Sequence, residues 1–363
     1  MPQSHWSSLK SHLAGLIAFA ACAVGAAAQP SVAQTSSPAA TVAQATSPSR
    51  QPAKIVTIRF GWQPAAQFAY LYANDYKLFA KYGIQIDATK FNSGVEELSA
   101  IASGSLDVAQ LGAPPWISAL NQGMNLQIIF SLINNTLDGL YVNPKSGINT
   151  AADMVGHTIG VTRGSGADGS LNQVLAKLNI KPNTIKLVNL RPSDLVIAYD
   201  KGDIEGAWTW DTIGLRMRAS GAKLVTTSIE HGFFQPSFYA VNAEFLKKEP
   251  DAVARLVAAL GEGAEQVNKD PTTVSKRFAD LAGLSETDAL YLMKQEPNST
   301  LEDMLDPKNP TTFVGNTGFA SQLQQLAEVM HSIGNIDKVP PNLASYLNAQ
   351  VIRDAIAIRA LHK

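Results

Sequence analysis

The stretch from Phe91 to Pro115, FNSGVEELSAIASGSLDVAQLGAPP, joins a helix to a strand through one glycine. Ser93 with Glu96 fits a capping box, Leu98, Ile101 and Ala102 form an apolar stripe, and Gly104 stands where a C-terminal cap belongs. Leu106 to Leu111 then reads as a short buried strand running into a turn restrained by Pro114 and Pro115. Units of this kind constrain the architecture, because strands alternating with helices pack as α/β layers with largely parallel pairing. The alternation fills the chain from Lys54 on. Residues 55–60 read as a strand, 67–82 as a helix closed by Gly83, and 84–88 as a strand, while 125–132 and 139–142 complete a first set.

A second set starts with a strand at 157–161. It continues with a helix at 170–178, a strand at 185–188, a helix at 192–199 stopped by Gly202, and a strand at 204–210. Laid over one another, residues 103–110 (SGSLDVAQ) and 201–208 (KGDIEGAW) share the cap glycine, a branched apolar residue, an acid and an alanine. That echo predicts two similar lobes, each delivering a strand end to a common cleft, where ligands of such folds bind. The breaks at Asn143-Pro144-Lys145 and Gln235-Pro236-Ser237 read as crossovers between them. Beyond Glu244 the pattern is helical, including 322–333 and 343–361. The expected division is 54–143 for the first part of lobe 1, 144–235 for lobe 2 and 236–363 for the return to lobe 1.

At 363 residues, 45% of them hydrophobic and 16% charged, the chain has room for two domains. A net charge of −1 offers no basic face to nucleic acid or to an anionic membrane. The N-terminus stands apart. Lys10 is the only Lys, Arg, Asp or Glu among the first 28 residues, and the apolar run 13–28 is too short and too rich in small residues for a spanning helix. It ends in Ala26-Ala27-Ala28, so 1–28 reads as a secretory signal peptide and 29–53, built of Ser, Ala, Pro, Thr and Gln, as a disordered linker. Periplasmic export follows. The single cysteine, Cys22, lies inside the signal, whose removal leaves no disulfide, thiol nucleophile or thiolate metal site. Phe19-Ala20-Ala21-Cys22 loosely resembles a lipoprotein box, which keeps a lipid anchor through Cys22 as the alternative.

Gly164-Ser165-Gly166-Ala167-Asp168-Gly169 matches G-x-G-x-x-G between a strand and a helix. The dinucleotide reading fails, since the next strand ends in Val188-Asn189-Leu190 with no acid for a ribose. What remains is a helix start near Ser165, Gly166 and Ala167 whose N–H groups and dipole suit a small anion. Trp208 and Trp210, on one strand face, with Asp211 favour a ligand wall; Trp62-Gln63-Pro64 closes the first strand in the same manner, and the loop from Asn134 to Asp138 adds amides and a carboxylate. His157, His231 and His331 lack metal-ligand spacing, and G-x-S-x-G is broken by Arg163. Neither catalytic residue, metal nor cofactor is expected.

These segments resemble the taurine, aliphatic sulfonate and nitrate group of ABC-transporter substrate-binding proteins, most closely the taurine-binding kind. The resemblance runs from about Thr57 to Ser345 and rests on KFNSGVEELSAIASGSLDVAQLGAPP, on IKPNTIKLVNLRPSDLVIAYDKGDIEGAWTW and on PTTVSKRFADLAGLSETDA. It implies an α/β two-lobed periplasmic binding protein of type II, crossed twice by the chain, that closes on a small anionic ligand in the inter-lobe cleft. The implied partners are a permease and its cytoplasmic ATPase, and a monomer is expected. By position, the backbone of Gly112, Ala113 and Pro114 and the helix start Ser165 to Ala167 would hold a sulfonate, with Trp210 and Gln63 lining the site. Two departures concern the ligand. Ser237 stands where taurine binders of this type usually carry an Asp for the ammonium, a job that falls to Asp138 or Asp211 if the ligand has an amine. Arg163 replaces an apolar residue and adds a charge to the expected anion site. Nitrate, an aromatic sulfonate, a thiamine-precursor pyrimidine and, on another reading, hydrolysis of an exported substrate are the rivals.

Overall fold

The computed structural model describes residues 55–362 apart from Ala66, Asn134 and Asn135. The expected signal peptide, the linker, the lipidation of Cys22 and the two asparagines of the Asn134–Asp138 loop lie outside the described residues. Within them the strands are β1 (Val56–Trp62), β2 (Ile84–Lys90), β3 (Val108–Gly112), β4 (Leu126–Ile133), β5 (Gly139–Val142), β6 (Thr158–Val161), β7 (Lys186–Asn189), β8 (Gly206–Thr209), β9 (Lys223–Thr227) and β10 (Ser237–Asn242).

They form two five-stranded sheets, ordered β2-β1-β3-β10-β4 and β7-β6-β8-β5-β9. In the first, β1 runs parallel to β2 and β3, and β10 inserts antiparallel between β3 and β4. In the second, β6 runs parallel to β7 and β8, and β5 inserts antiparallel between β8 and β9. The same order thus occurs twice, and β3 and β8, the strands of the sequence echo, hold the same place in it. Each antiparallel strand is the one that arrives from the other lobe, which is why the pairing is mixed rather than parallel throughout.

One expectation needs correcting here. Because β5 pairs with β8 and β9, residues 139–142 belong to the second sheet and not to the first set. The first crossover therefore comes before β5, with residues 136–138 leading into it, and Asn143 to Lys145 is a turn after β5, where Ser146 N–H donates to Asn143 O at 2.9 Å. Four consecutive buried residues identify a strand without naming its partner. The second crossover runs through Gln235 and Pro236 into β10.

Two helices at the strand ends were not expected, Ala113–Asn121 and Asp211–Ala219, nor was β9. Pro114 and Pro115 do not form a turn: they occupy the first helical turn, where an N–H is not needed and the fixed φ of proline already suits a helix. The expected helix 67–82 is broken into Phe68–Asp75 and Leu78–Lys81 because Lys77 adopts a left-handed φ of 56°. The expected helix 343–361 is shorter, Ala349–Ala360, with the Asn348 side chain accepting from Val351 N–H at 3.1 Å.

The first sheet packs under a large apolar core that includes Ile58, Phe60, Leu111, Phe130, Phe238 and Leu256. Its longest contributor is the helix Pro250–Lys269, which opens with proline and buries a continuous alanine- and leucine-rich face. The second sheet buries both faces: Leu140, Val161 and Trp208 pack with Leu171 and Val174 on one side, Tyr141 and Ala207 with Leu195 and Met217 on the other. These cores hold the strand ends in fixed positions.

Candidate functional site

Four helices begin at the carboxyl ends of four strands and point their N-termini into one cleft. They are Gly94–Ala102 after β2, Ala113–Asn121 after β3, Gly166–Lys177 after β6 and Asp211–Ala219 after β8. Their caps, Ser93, Gly112, Ser165 and Trp210, are all in extended conformation and all line a cavity of about 70 Å³. A first helical turn carries N–H groups that no helical carbonyl can reach, and the dipole makes that end positive. Four such ends around one small space suit a small anion. The volume is far below the ~300–1,000 Å³ of pockets for drug-sized ligands, so the head group it suits is small.

The two lobes meet here. A Cβ on Gly112 would stand 3.6 Å from Gly166 Cα, and one on Gly169 would stand 2.3 Å from Pro114 Cγ. At the start of Gly166–Lys177 the Ser165 hydroxyl accepts from Asp168 N–H at 3.3 Å and donates to Thr162 O at 2.7 Å, which leaves the N–H groups of Gly166 and Ala167 open. The start of Ala113–Asn121 has less to offer. Pro114 and Pro115 have no N–H, so the expectation of a free donor row from Gly112 to Pro114 reduces to Gly112 and Ala113.

Of the residues singled out from sequence, Gln63, Gly112, Asp138, Ser165, Gly166, Ala167, Trp210, Asp211 and Ser237 line the cavity. Ala113 is fully buried behind it. Pro114 and Arg163 instead face a separate open groove of about 850 Å³, shared with Asn172, Lys181, Met330 and Ile333. The Arg163 guanidinium is 3.0 Å from Asp168 Oδ1 and brings no charge to the cavity, because the chain turns at Gly164 (φ 76°) before the helix starts. Trp208 is a core residue whose Nε1–H donates to Ser170 Oγ at 2.8 Å; only Trp210 of that pair reaches the cleft.

Ser93, Gly94, Gln110, Thr136 and Gln235 also line the cavity and were missed as ligand candidates. The signal was present in Ser93, read only as a cap. In the structure its hydroxyl makes no capping bond and Glu96 instead accepts from Asn92 N–H at 3.0 Å, so the capping box does not form. Ser93 is thereby a buried hydroxyl beside the cavity.

On the lobe 1 side the wall is a polar lattice. Gln63 Nε2 donates to Glu97 Oε1 at 2.8 Å and Gln110 O at 2.9 Å, while Gln110 N–H donates to Glu97 Oε2 at 2.6 Å. Glu97 is buried, and loss of hydration pushes its carboxyl up to about 8 despite those donors. On the lobe 2 side stand carboxyls. Asp138 accepts from Ser170 Oγ at 2.8 Å, and burial, with the nearby Asp211, raises it to about 7. Asp211 is 1% exposed and its Oδ2 meets no donor among the described residues. Open N–H groups at one end and buried carboxyls at the other suit a ligand that carries both signs of charge.

Two mixed sheets of one topology, each completed by an antiparallel strand from the other lobe, with a cavity at their carboxyl ends, define the two-lobed type II periplasmic binding protein fold. The chain belongs to the NMT1/THI5-like family, whose model matches residues 65–274. It is 27% identical to the taurine-binding periplasmic protein of Escherichia coli (strain K12) over 315 residues, 84% of this chain and 90% of the relative. The alkanesulfonate-binding protein SsuA from Xanthomonas axonopodis pv. citri, solved bound to MOPS, superposes with a TM-score of 0.68 at 21% identity, covering 81% of this chain and 99% of that one. The desulfurization enzyme DszB shares the fold as well, with a TM-score of 0.58 at 15% identity over 83% and 99% of the two chains. Fold alone therefore does not separate binding from catalysis.

Proposed function

We propose that the chain is the substrate-binding component of an ABC importer, capturing taurine or a related small alkanesulfonate in the periplasm and delivering it to a membrane permease driven by a cytoplasmic ATPase. The observation that carries this reading is the convergence of four helix N-termini on one 70 Å³ cavity. A sulfonate stays anionic at any working pH, so it needs fixed donors and no proton. Gly166 and Ala167 N–H and the Ser93 hydroxyl supply them; Trp210 walls the alkyl stem, and Asp211 meets the ammonium in place of the acid absent at Ser237. The likeness to a taurine-binding relative over 90% of its length supports the same choice. Capture without turnover is part of the reading. The residues lining the cavity include no histidine and no cysteine, and the Ser165 hydroxyl donates to Thr162 O, which supports that part of it.

Calorimetric titration of the mature protein with taurine, ethanesulfonate, isethionate, benzenesulfonate and nitrate tests this. Taurine binds most tightly, isethionate and ethanesulfonate more weakly, and none is consumed. Nitrate or benzenesulfonate as the preferred ligand, or turnover of any of them, would overturn it.

A further inference from the structure

A further buried carboxyl comes to Asp211 from a distant part of the chain. Glu296 follows the helix Glu286–Gln295, whose Leu292 and Met293 belong to the lobe 1 core. It is 2% exposed, and its Oε1 accepts from Leu137 N–H, in the first crossover, at 2.9 Å. Its carboxyl lies within hydrogen-bonding reach of Asp211, the first residue of a lobe 2 helix. Asp211 Oδ2 and Glu296 Oε2 are both buried and receive nothing from any other described group. Two ionised carboxylates offer each other four acceptors and no donor; one proton held between them supplies the missing donor and removes one charge.

Neither carboxyl of the pair feels a cation directly. Asp138 faces the pair from the crossover and Tyr141 from β5, and the cation felt there is Arg218, through Tyr141. Burial raises both carboxyls above their ordinary range, and the charge of Asp211 pushes Glu296 further up while the bond to Glu296 holds Asp211 down. Of the two acids, Asp211 lines the ligand cavity.

We propose that Glu296 is a specificity-determining residue: with Asp211 it forms a two-carboxylate seat across the lobes, closed over one shared proton in the free protein, which a primary ammonium group takes over on binding. The inference rests on the functional reading above and deepens it by naming the second carboxylate that meets the ammonium and the proton it gives up. In the exchange the shared proton leaves to solvent, and the ammonium donates one N–H to each carboxylate. A ligand without an amine leaves the proton in place. Ammonium capture is then proton-linked: taurine affinity rises with pH, and isethionate affinity does not follow it.

Titration of taurine and isethionate at pH 7 into the full mature protein, in phosphate and in Tris, gives the number of protons released from the difference in observed heats. Close to one proton leaves with taurine and none with isethionate. Glu296→Gln, which keeps an oxygen for Leu137 N–H, loses taurine affinity at least tenfold more than isethionate affinity, and its proton release vanishes. Taurine binding without proton release, equal release with isethionate, or unchanged release in Glu296→Gln overturns the inference while leaving a sulfonate receptor standing. Silence from both ligands overturns the functional reading and the inference together.

Discussion

At the scale of single residues, the cleft differs from an ordinary protein surface in the number of acids kept away from water. Glu97 is pushed up to about 8 and Asp138 to about 7, each mainly by burial. Both values are raised, so between the ordinary carboxylate range and the folded value the unfolded chain holds fewer protons than the folded one. Stability accordingly falls as pH rises from about 4.5 to about 8 and levels off on either side. Denaturant unfolding at pH 5 and pH 8 reads this directly, and Asp138→Asn, which still accepts from Ser170, shows a smaller loss than the wild type over that interval. An identical loss in both proteins would contradict the assignment. Residue types were the most legible layer of the sequence: Ser165 to Ala167, Trp210 and Asp211, singled out by type and position, line one cavity. The placement of Arg163 was not legible, because one residue of positive φ at Gly164 decides which groove it faces. Glu296 was beyond reach altogether, since it lies far along the chain from every other group it meets.

At the scale of elements, helix starts do the binding and glycines set how closely the lobes approach. Gly169 lies in the first turns of Gly166–Lys177, where a Cβ would stand 2.3 Å from Pro114 Cγ on the opposite lobe. The proline ring is fixed, so a side chain there is accommodated by parting the lobes rather than by a local shift. Gly169→Val weakens taurine binding at least tenfold with little change in unfolding midpoint. Small-angle scattering shows wild type compacting on taurine while the variant does not. Compaction of the variant equal to wild type would remove the wedge and leave Gly169 as mere packing. Strands and most helices were readable from period and caps, as in the helix ending at Gly202, which adopts the left-handed φ of 78° that a C-cap requires. The helix Ala113–Asn121 was not, because Pro-Pro marks a turn and a first helical turn equally well.

At the scale of the whole molecule, one topology used twice places the carboxyl ends of both sheets against one space. The short echo between residues 103–110 and 201–208 reflects this, yet sequence could not say which sheet owns β5, since strand partnership is a long-range choice. We take the segments 136–138 and 235–236 as the two hinges, with the boundaries of the lobes following from them, because among the described residues the chain passes between the sheets only from β4 to β5 and from β9 to β10. Closure about them brings the Gly166 and Ala167 N–H groups of one lobe to Ser93 and Gly112 of the other. The most direct test is a crystal structure of the mature protein with taurine. The sulfonate oxygens are expected within hydrogen-bond distance of Gly166 and Ala167 N–H, and the ammonium between Asp211 and Glu296. Taurine seated instead in the groove beside Arg163 and Lys181, with the cleft cavity empty, would contradict the assignment of the site.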